Sequence, residues 1–432
     1  MHKILLETYG CTLNQADSDI MEGMLKASGF EVERAAGAAP IPRPGESIIV
    51  NTCTVKKATE QKISHRLKVL HASGANVVVT GCMAGANPDI IRANAPNAKI
   101  LPPGRIAEIP KAFGFGNGIS EKAGIKNPDK SGLVPASGTV VSRIPLSEGC
   151  LSSCNFCETK FARGPLRSFS EELILKAIEK NVAMGSKEIE LTAQDVGAYG
   201  LDRKTNIAEL AAKVGGISGE FMVRIGMLNP EHLWRYMDGI AEALNSERLY
   251  KFIHLPLQSG SNKILKSMGR RYSIEDFTAH VKELRRKTKG ITIETDLIVG
   301  YPGETEEDFS ETLEAVSRIK PTITNISKFT PRPHATASGM KQLANSVIKE
   351  RCVRLSRHVR QMQHEEFSRM VGSVQKTLIT EKNRKSVSGK SLSYLSVAVT
   401  NCTDAHLGKF EDVRIDSNSY ACLIGRSEAH SL

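Results

Sequence analysis

The chain has 432 residues, which is enough for about three domains of ~150 residues each. Its 58 lysines and arginines exceed its 47 aspartates and glutamates, and the formal net charge of +11 favours a polyanionic partner such as nucleic acid. No apolar run approaches the ~18 residues of a membrane-spanning helix, and "MHKILLETYG" lacks the apolar region and cleavage site of a signal peptide. We therefore expect a cytoplasmic protein with no membrane segment, whose nine cysteines serve metal binding or catalysis more readily than disulfides.

Residues 1–112 are predicted to form a parallel α/β domain. Three short β-branched runs, "HKILLETYG", "SIIVNTC" and "NVVVTGC", alternate with segments of helical periodicity such as "SDIMEGMLKASGF". This alternation is typical of a parallel sheet with crossover helices. Residues 113–138 are rich in glycine and lack an apolar period, which predicts a linker or long loop.

Residues 139–370 are predicted to form six consecutive strand–helix units. The predicted strands are "VVSRIPL", "KEIELTA", "FMVRIGM", "YKFIHLPL", "ITIETDLIVG" and "ITNISKFT". Six units in a row favour a partial TIM-type (βα)6 barrel, and a doubly wound sheet is the alternative. In a barrel the chemistry collects at the C-terminal ends of the strands.

Residues 371–432 change to short strands and turns, such as "SYLSVAVT" and "YACLIG", which predict a small β-barrel. The stretch "QKTLITEKNRKSVSGK" holds five basic residues and one acidic residue. That composition suits binding along a phosphate backbone, and a solvated hairpin would have the same composition.

Three cysteines end three of the N-terminal strands. Cys11 ends "ETYGC", Cys53 ends "IIVNTC" and Cys82 ends "VVVTGC". Because the carboxyl ends of parallel strands meet at one edge of a sheet, we expect these thiols to converge. One buried cysteine is usually a packing residue, but three at equivalent strand ends predict a metal site.

A second set of three cysteines lies in "CLSSCNFC", where Cys150, Cys154 and Cys157 follow the first barrel strand with spacing C-x3-C-x2-C. A structural zinc site needs four ligands, and the adjacent "NFCETKFARG" offers no further histidine or cysteine. Zinc remains an alternative at this point. The remaining cysteines are interpreted as packing residues: Cys352, Cys402 and Cys422.

The C-x3-C-x2-C motif after the first strand of a six-unit barrel resembles the radical S-adenosylmethionine (SAM) superfamily. In that superfamily three thiolates hold three irons of a [4Fe–4S] cluster, and the fourth iron binds the amino and carboxylate groups of SAM. The resemblance implies that Cys150, Cys154 and Cys157 leave one iron open for SAM, whose reductive cleavage gives a 5′-deoxyadenosyl radical.

The chain resembles the methylthiotransferases within that superfamily over essentially its whole length. "YGCTLNQADS", "NTCTV" and "GCMA" are similar to the stretches that hold a second [4Fe–4S] cluster in that family. "ARGPLRS", "HLPLQSGS", "TDLIVGYPGET" and "FTPRPHATAS" are similar to its barrel motifs, and the tail is similar to its tRNA-binding TRAM module. The resemblance therefore implies two [4Fe–4S] clusters, the N-terminal one held by Cys11, Cys53 and Cys82.

Two local features resemble the archaeal and eukaryotic branch of the family, which modifies N6-threonylcarbamoyladenosine at position 37 of tRNA. They are "CETKFARG", which lacks the proline usual in bacterial members acting on isopentenyladenosine, and "TAQDVGAYG". Partners implied are this tRNA, SAM, and an electron donor such as a ferredoxin or flavodoxin. The alternatives are methylthiolation of isopentenyladenosine tRNA or of a ribosomal-protein aspartate, and a zinc-stapled RNA-binding protein without enzymatic activity.

Six further residues at or near strand ends are candidate ligand contacts. Gln194, Arg224 and Gly300 are predicted to contact SAM; His254, Gln258 and Arg332 are predicted to contact the substrate. A loop-capping amide at Gln194 and an ordinary strand–loop glycine at Gly300 are the structural alternatives. One helix carries five basic residues that a solvated face explains better than a tRNA-facing stripe: Lys56, Lys57, Lys62, Arg66 and Lys68.

Overall fold

The N-terminal domain is a five-stranded parallel sheet of order β2-β1-β3-β4-β5. The structure is a computed structural model that describes residues 3–35, 40–115, 128–383 and 386–430. The strands are β1 Lys3–Thr8, β2 Glu31–Arg34, β3 Ser47–Thr52, β4 Asn76–Gly81 and β5 Lys99–Ile100. The helices are α1 Thr12–Ala27, α2 Lys57–Ala72, α3 Cys82–Ala86 and α4 Pro88–Asn94, followed by a 3-10 helix at Pro103–Phe113.

Both faces of this sheet are covered, which explains why its central strands are continuously apolar. Ile49 and Val78 pack into one core with α1, while Ile48 and Val77 pack into a second core with α2. Every residue of β3 is buried. The predicted parallel α/β domain is confirmed.

The central domain is a six-stranded partial barrel. Its strands are β6 Val141–Pro145, β9 Glu188–Thr192, β10 Met222–Ile225, β11 Phe252–His254, β12 Thr292–Val299 and β13 Ile323–Lys328, with a short antiparallel pair, β7 Ser147–Glu148 and β8 Arg167–Ser168, near the first strand. Its helices are α5 Thr159–Arg163, α6 Glu171–Ala183, α7 Ile207–Gly215, α8 Pro230–Leu233, α9 Met237–Leu244, α10 Asn262–Ser267, α11 Ile274–Lys287, α12 Glu306–Ile319 and α13 Asn345–Ser368. Short 3-10 helices lie at Lys130–Leu133, Val196–Ala198, Trp234–Tyr236 and Thr336–Gly339.

The six barrel strands follow one another in chain order, as β6-β9-β10 and then β11-β12-β13, all parallel. Backbone hydrogen bonds join the two sheets: the N–H of Val223 donates to the Arg248 carbonyl at 2.7 Å, and the Val223 carbonyl accepts from the N–H of Tyr250 at 3.0 Å. A doubly wound sheet would reverse its strand order at the middle. The partial barrel is therefore confirmed.

The segment "EHLWRYMDGIAEAL", whose apolar periodicity predicts one helix, is divided into α8, a 3-10 turn and α9. Tyr236 leaves the helical conformation, with φ −144° and ψ 27°, and its hydroxyl donates to the Gly197 carbonyl. Periodicity alone missed this break because the hydrogen bond that accompanies it comes from a distant segment.

The C-terminal domain is a closed five-stranded barrel of order β14-β15-β16-β18-β17, which confirms the predicted small β-barrel. Its strands are β14 Val374–Lys382, β15 Val387–Ser391, β16 Ser396–Val399, β17 Phe410–Asn418 and β18 Leu423–Ser427, with 3-10 turns at Asp404–His406 and Glu428–His430. Arg384 and Lys385 of the predicted basic hairpin lie outside the described residues. No helix in the described ranges is long and apolar enough to cross a membrane.

The C-terminal barrel is tied to the central domain at two places. Phe367 at the end of α13 packs into the core of the small barrel. Tyr394 of the small barrel contacts the central domain, where its hydroxyl donates to Glu188 at 3.3 Å and to Glu190 at 3.2 Å on β9. The tail is therefore docked on the central barrel.

Candidate active site

The three N-terminal cysteines lie at the carboxyl ends of three adjacent strands. Cys11 follows β1 and precedes α1, Cys53 directly follows β3, and Cys82 directly follows β4. The Sγ atoms of Cys11 and Cys82 lie 4.0 and 3.7 Å from Oδ1 of Asn14. Gly10 has φ +116°, and a Cβ there would stand 3.0 Å from the Cβ of Cys53, so the close approach of these loops favours glycine. The sequence-predicted convergence is present.

The surroundings of this triad suit coordinated thiolates. The N–H of Val55 donates to Sγ of Cys53 at 3.5 Å, and Nε–H of Arg163 donates to Sγ of Cys82 at 3.4 Å. Burial raises the pKa of Cys53 and raises that of Cys82 to about 12. A thiol so buried needs compensating positive charge to ionise, which coordination to iron supplies. The donor set therefore fits an iron–sulfur cluster.

The second triad lies in the loop at the C-terminal end of β6. Burial, aided by Asp195, raises the pKa of Cys150 to about 12, and burial also raises the pKa of Cys154. The N–H of Thr159 donates to Sγ of Cys157 at 3.4 Å. Asn155 fixes the loop, because its backbone N–H and its side chain donate to carbonyls around the end of α10 at 3.0 and 2.8 Å. This loop also presents three thiols and fits the same kind of cluster.

The described ranges contain no group of three or more His, Cys, Asp or Glu side chains arranged to hold one metal ion. A tetrahedral zinc site brings its sulfurs to within ~4 Å of one another. A [4Fe–4S] cube places each thiolate on a different iron, so its sulfurs stand farther apart.

Arg163 joins the two triads through a buried ionic network. Its Nη1 lies 2.9 Å from Asp17 of α1 and 2.7 Å from Glu148, two residues before Cys150. Lys130, from the segment predicted as a linker, pairs with Asp17 at 2.7 Å and also contacts Glu148. Burial would raise the pKa of Glu148, but Lys130 and Arg163 hold it well below its usual range. The network fixes the N-terminal sheet against the barrel's cysteine loop.

A cavity of about 670 Å³ opens between the two domains. Its lining includes residues 54–58 after Cys53, residues 156–159 around Cys157, and the C-terminal parts of β12 and β13. A reacting group bound here would lie next to Cys157 of the second triad (Cys150, Cys154 and Cys157, here called the barrel triad) and next to the residues that follow Cys53. The cavity is therefore a candidate substrate site.

The predicted substrate contacts cluster at this cavity. Gln258 and Arg332 line it. Gln258 has φ +72°, a conformation that is costly for a residue with a side chain and is held by hydrogen bonds to β12. His254 lies beside it: burial lowers the pKa of His254, but its 2.9 Å hydrogen bond to the cavity residue Asp296 raises that pKa overall. All three remain predicted substrate contacts.

The three predicted SAM contacts lie at or near the ends of three different barrel strands, β9, β10 and β12. Oε1 of Gln194 is buried with no hydrogen-bond partner in the described residues, which fits an acceptor for the SAM ammonium group. Gly300 has φ +81°, and a Cβ there would stand 2.5 Å from Ile348 of α13, so its close approach is to a helix. Arg224 stacks over Phe252 and Tyr394. These packing contacts give a structural reason for a glycine at position 300 and for an arginine at position 224, and a contact with SAM remains a prediction for all three residues.

Sequence reasoning missed a polar network beside the barrel triad. Asp195 hydrogen-bonds His232 at 2.9 Å, His232 lies 3.3 Å from Glu231, and Glu231 accepts from Ser152 of the cysteine loop at 3.2 Å. Burial lowers the pKa of His232, but the two carboxylates raise it to about 9. Arg270 lies nearby with its Nε unpaired. These residues come from helix α8 and from three segments that are distant in sequence, and only "AQD" next to Gln194 pointed toward them.

Comparison with known proteins shows which families the chain is similar to. Residues 144–316 match the family model "Radical SAM superfamily", and residues 3–102 match "Uncharacterized protein family UPF0004". A probable threonylcarbamoyladenosine tRNA methylthiotransferase of Pyrococcus abyssi is 38% identical over 98% of this chain and 99% of the relative. A threonylcarbamoyladenosine tRNA methylthiotransferase of Drosophila pseudoobscura pseudoobscura is 32% identical over 98% of this chain and 77% of the relative.

The chain belongs to the threonylcarbamoyladenosine tRNA methylthiotransferase family. A solved radical S-adenosylmethionine methyltransferase, TsrM from Kitasatospora setae, shares the fold with TM-score 0.56 and 13% identity, over 89% of this chain and 79% of that one. Family membership confirms the predicted cofactors, [4Fe–4S] clusters and SAM. Which cysteines and polar residues hold them remains a prediction.

Proposed function

We propose that this chain converts N6-threonylcarbamoyladenosine at position 37 of tRNA into its 2-methylthio derivative. One observation carries the proposal: two cysteine triads, each suited to a cluster, lie on two sides of one interdomain boundary that encloses a cavity. A methylthiotransferase needs both a radical source and a sulfur source near the same base. Full-length similarity to relatives named for this reaction supports the same substrate.

In this proposal each triad holds one cluster. Cys150, Cys154 and Cys157 hold the cluster that binds SAM; Cys11, Cys53 and Cys82 hold the second. When bound, these cofactors supply the electron and the 5′-deoxyadenosyl radical that activate C2 of adenine.

The chain's own residues bind SAM, hold the cysteine loop in place and shield the reacting base from water. Gln194 accepts a hydrogen bond from the SAM ammonium group through its unpaired Oε1. The Asp195–His232–Glu231 network holds Ser152 and with it the cysteine loop. The walls of the cavity limit the access of water to the reacting base. Gln258 and Arg332 contribute contacts to the nucleoside.

A ferredoxin or flavodoxin is proposed as the electron donor, and the cytoplasm as the location in which the enzyme meets its tRNA. The test is an anaerobic assay of the reconstituted protein with three substrates in parallel: tRNA bearing threonylcarbamoyladenosine, tRNA bearing isopentenyladenosine, and a ribosomal-protein substrate. Mass spectrometry of the products is expected to find a methylthio group only on the first. Product on either of the others, with none on the first, would refute the proposal.

A further inference from the structure

Three exposed lysines line the interdomain cavity: Lys56 and Lys57 from the start of α2, and Lys328 from the end of β13. None of them forms an ion pair with a carboxylate in the described ranges. Other residues of the predicted basic helix differ. Arg66 pairs with Glu7 at 2.6 Å, and Lys62 is exposed outside the cavity lining. The solvated-face interpretation therefore holds for only part of that helix.

The start of α2 adds further positive potential to the same wall. Its N-cap residue is Lys56, which offers no acceptor, and no side chain caps the helix. The N–H of Thr59 donates to the Lys56 carbonyl at 3.0 Å, so the N–H groups of Lys57 and Ala58 are the ones left for water or a ligand. The positive end of a helix dipole disfavours adjacent cations, yet Lys56 and Lys57 occupy the first two positions. Glu60 of the first turn offsets part of this repulsion, but its carboxylate pairs with Arg332 at 3.0 Å. An anion bound in the cavity would relieve the rest.

Two carboxylates lie within electrostatic range of these lysines, Asp296 near Lys56 and Glu60 near Lys57, but neither forms an ion pair with a lysine of the cavity in the described residues. Asp296 accepts hydrogen bonds from His254 at 2.9 Å and from Asn325 at 3.0 Å. Glu158 accepts from Thr54, and from Asn87 at 3.3 Å.

Arg332 is the buried cation of the same cavity. Its side chain is only 5% exposed and its Nη1 pairs with Glu60 at 3.0 Å, while its Nη2 has no hydrogen-bond partner in the described residues. The wall thus carries an unpaired buried donor in addition to the three surface lysines.

We infer that Lys56, Lys57 and Lys328 bind the carboxylate of the threonylcarbamoyl group and so select this nucleoside. The inference rests on the proposed function. The cavity that these lysines line also contains Cys157, so an anion held there belongs to a group close to the reacting base. The threonyl substituent on N6 of adenine carries one carboxylate, whereas an isopentenyl substituent carries none. Charge-assisted hydrogen bonds from lysine are strong enough to discriminate between them.

The test compares two triple variants of the full chain with wild type. The first replaces Lys56, Lys57 and Lys328 with alanine. The matched control removes the same charge from Lys62, Lys68 and Lys349, which are exposed and do not line the cavity. Dissociation constants are measured for one tRNA carrying either threonylcarbamoyladenosine or plain adenosine at position 37, so that the phosphates are identical.

The cavity variant is expected to bind the threonylcarbamoylated tRNA about tenfold or more weaker than wild type, which corresponds to ~1.4 kcal/mol. Its affinity for the tRNA with plain adenosine is expected to match that of the control variant. Formation of 5′-deoxyadenosine without tRNA should be unchanged.

Three results would overturn the inference. Equal weakening for both tRNAs would mean that the lysines contact phosphates, and unchanged affinity for both would mean that they bind no anion. Loss of 5′-deoxyadenosine formation without tRNA would assign them to the SAM carboxylate. Failure of the proposed function is distinct, since it would appear as wild-type protein that makes no methylthio product from the threonylcarbamoylated tRNA.

Discussion

Nε of Arg163 lies 3.4 Å from Sγ of Cys82, although the two residues belong to different domains and are 81 positions apart. The same guanidinium donates through Nη2 to Oδ1 of Asn14 at 2.7 Å, and Asn14 faces Cys11. A residue at the end of the barrel's cysteine loop therefore completes the polar surroundings of the N-terminal triad. The two cysteine sites are therefore connected by the hydrogen bonds and ion pairs of Arg163.

Replacing Arg163 with methionine is expected to destabilise the protein by about 3–5 kcal/mol, because Asp17 and Glu148 would be left as buried carboxylates with only Lys130 to compensate them. Thermal unfolding of the cluster-free protein measures this, and R163K should be intermediate. The control is R203M, at an exposed arginine. Equal unfolding temperatures for R163M and R203M would contradict the role of the network.

Replacing Gln194 with leucine is expected to weaken SAM binding by about tenfold or more, because a hydrogen bond from a charged ammonium group contributes ~1.5–3 kcal/mol. Oε1 of Gln194 has no other partner in the described residues, so the effect on folding should be small. Isothermal titration of the reconstituted enzyme with SAM measures the change. Q361L, on the exposed side of α13, is the control. An unchanged SAM affinity in Q194L would remove this residue from the site.

Replacing Glu188 with glutamine is expected to stabilise the protein in a pH-dependent way. Burial and the neighbouring Glu190 raise the pKa of Glu188 to about 7, above the 4.5 of an unperturbed glutamate. The folded state therefore holds a proton that the unfolded state releases, so this group's contribution to stability is full below pH 4.5 and is lost as pH rises through 7. Glutamine avoids that loss.

The advantage of E188Q should grow from pH 5 to pH 8 to as much as about 3 kcal/mol. Unfolding temperatures at both pH values measure it, with E220Q at an exposed site as the control. A constant difference across this range would show that Glu188 does not titrate there.

The tail is expected to contribute tRNA affinity through charge. Deletion from residue 371 is a poor test, because Tyr394 stacks on Phe252 of the central barrel and the deletion would uncover that contact. Replacing Arg384 and Lys385 with alanine should instead weaken tRNA binding and lower the salt slope of log K by up to about 2. The exposed pair Lys282 and Lys289 serves as the control. The same slope in both double variants would place the tRNA contact elsewhere.

The sequence predicted that the six cysteines form two groups of three, because each group follows from the position of the cysteines on strand ends or in one loop. Strand ends in a parallel sheet lie side by side, and the spacing of Cys150, Cys154 and Cys157 places them in one loop. The order of strands in the barrel followed from the regular alternation of strands and helices. These features needed no knowledge of long-range side-chain contacts.

Other features depend on contacts between distant segments and could not be predicted. Lys130 lies in a polar, glycine-rich stretch that predicts a linker, yet it is only 1% exposed because Asp17 and Glu148 flank it. Gly300 was predicted to contact SAM; the structure places it close to Ile348 of helix α13, and the contact with SAM stays a prediction. Arg224 was predicted to contact SAM; it lies over the ring of Tyr394 from the C-terminal barrel, its buried Nε has no hydrogen-bond partner in the described residues, and the contact with SAM stays a prediction.

The central claim is that the two triads hold two clusters with separate tasks. Anaerobic reconstitution of wild type should yield about eight irons, twice the four of one cube. Two triple variants, C11A/C53A/C82A and C150A/C154A/C157A, should each retain about four. The decisive measurement is 5′-deoxyadenosine and methylthiolated nucleoside, quantified together for both variants with threonylcarbamoylated tRNA. We expect the first variant to form 5′-deoxyadenosine without methylthio product, and the second to form neither. Normal methylthiolation by the first variant, or reductive cleavage of SAM by the second, would contradict this account.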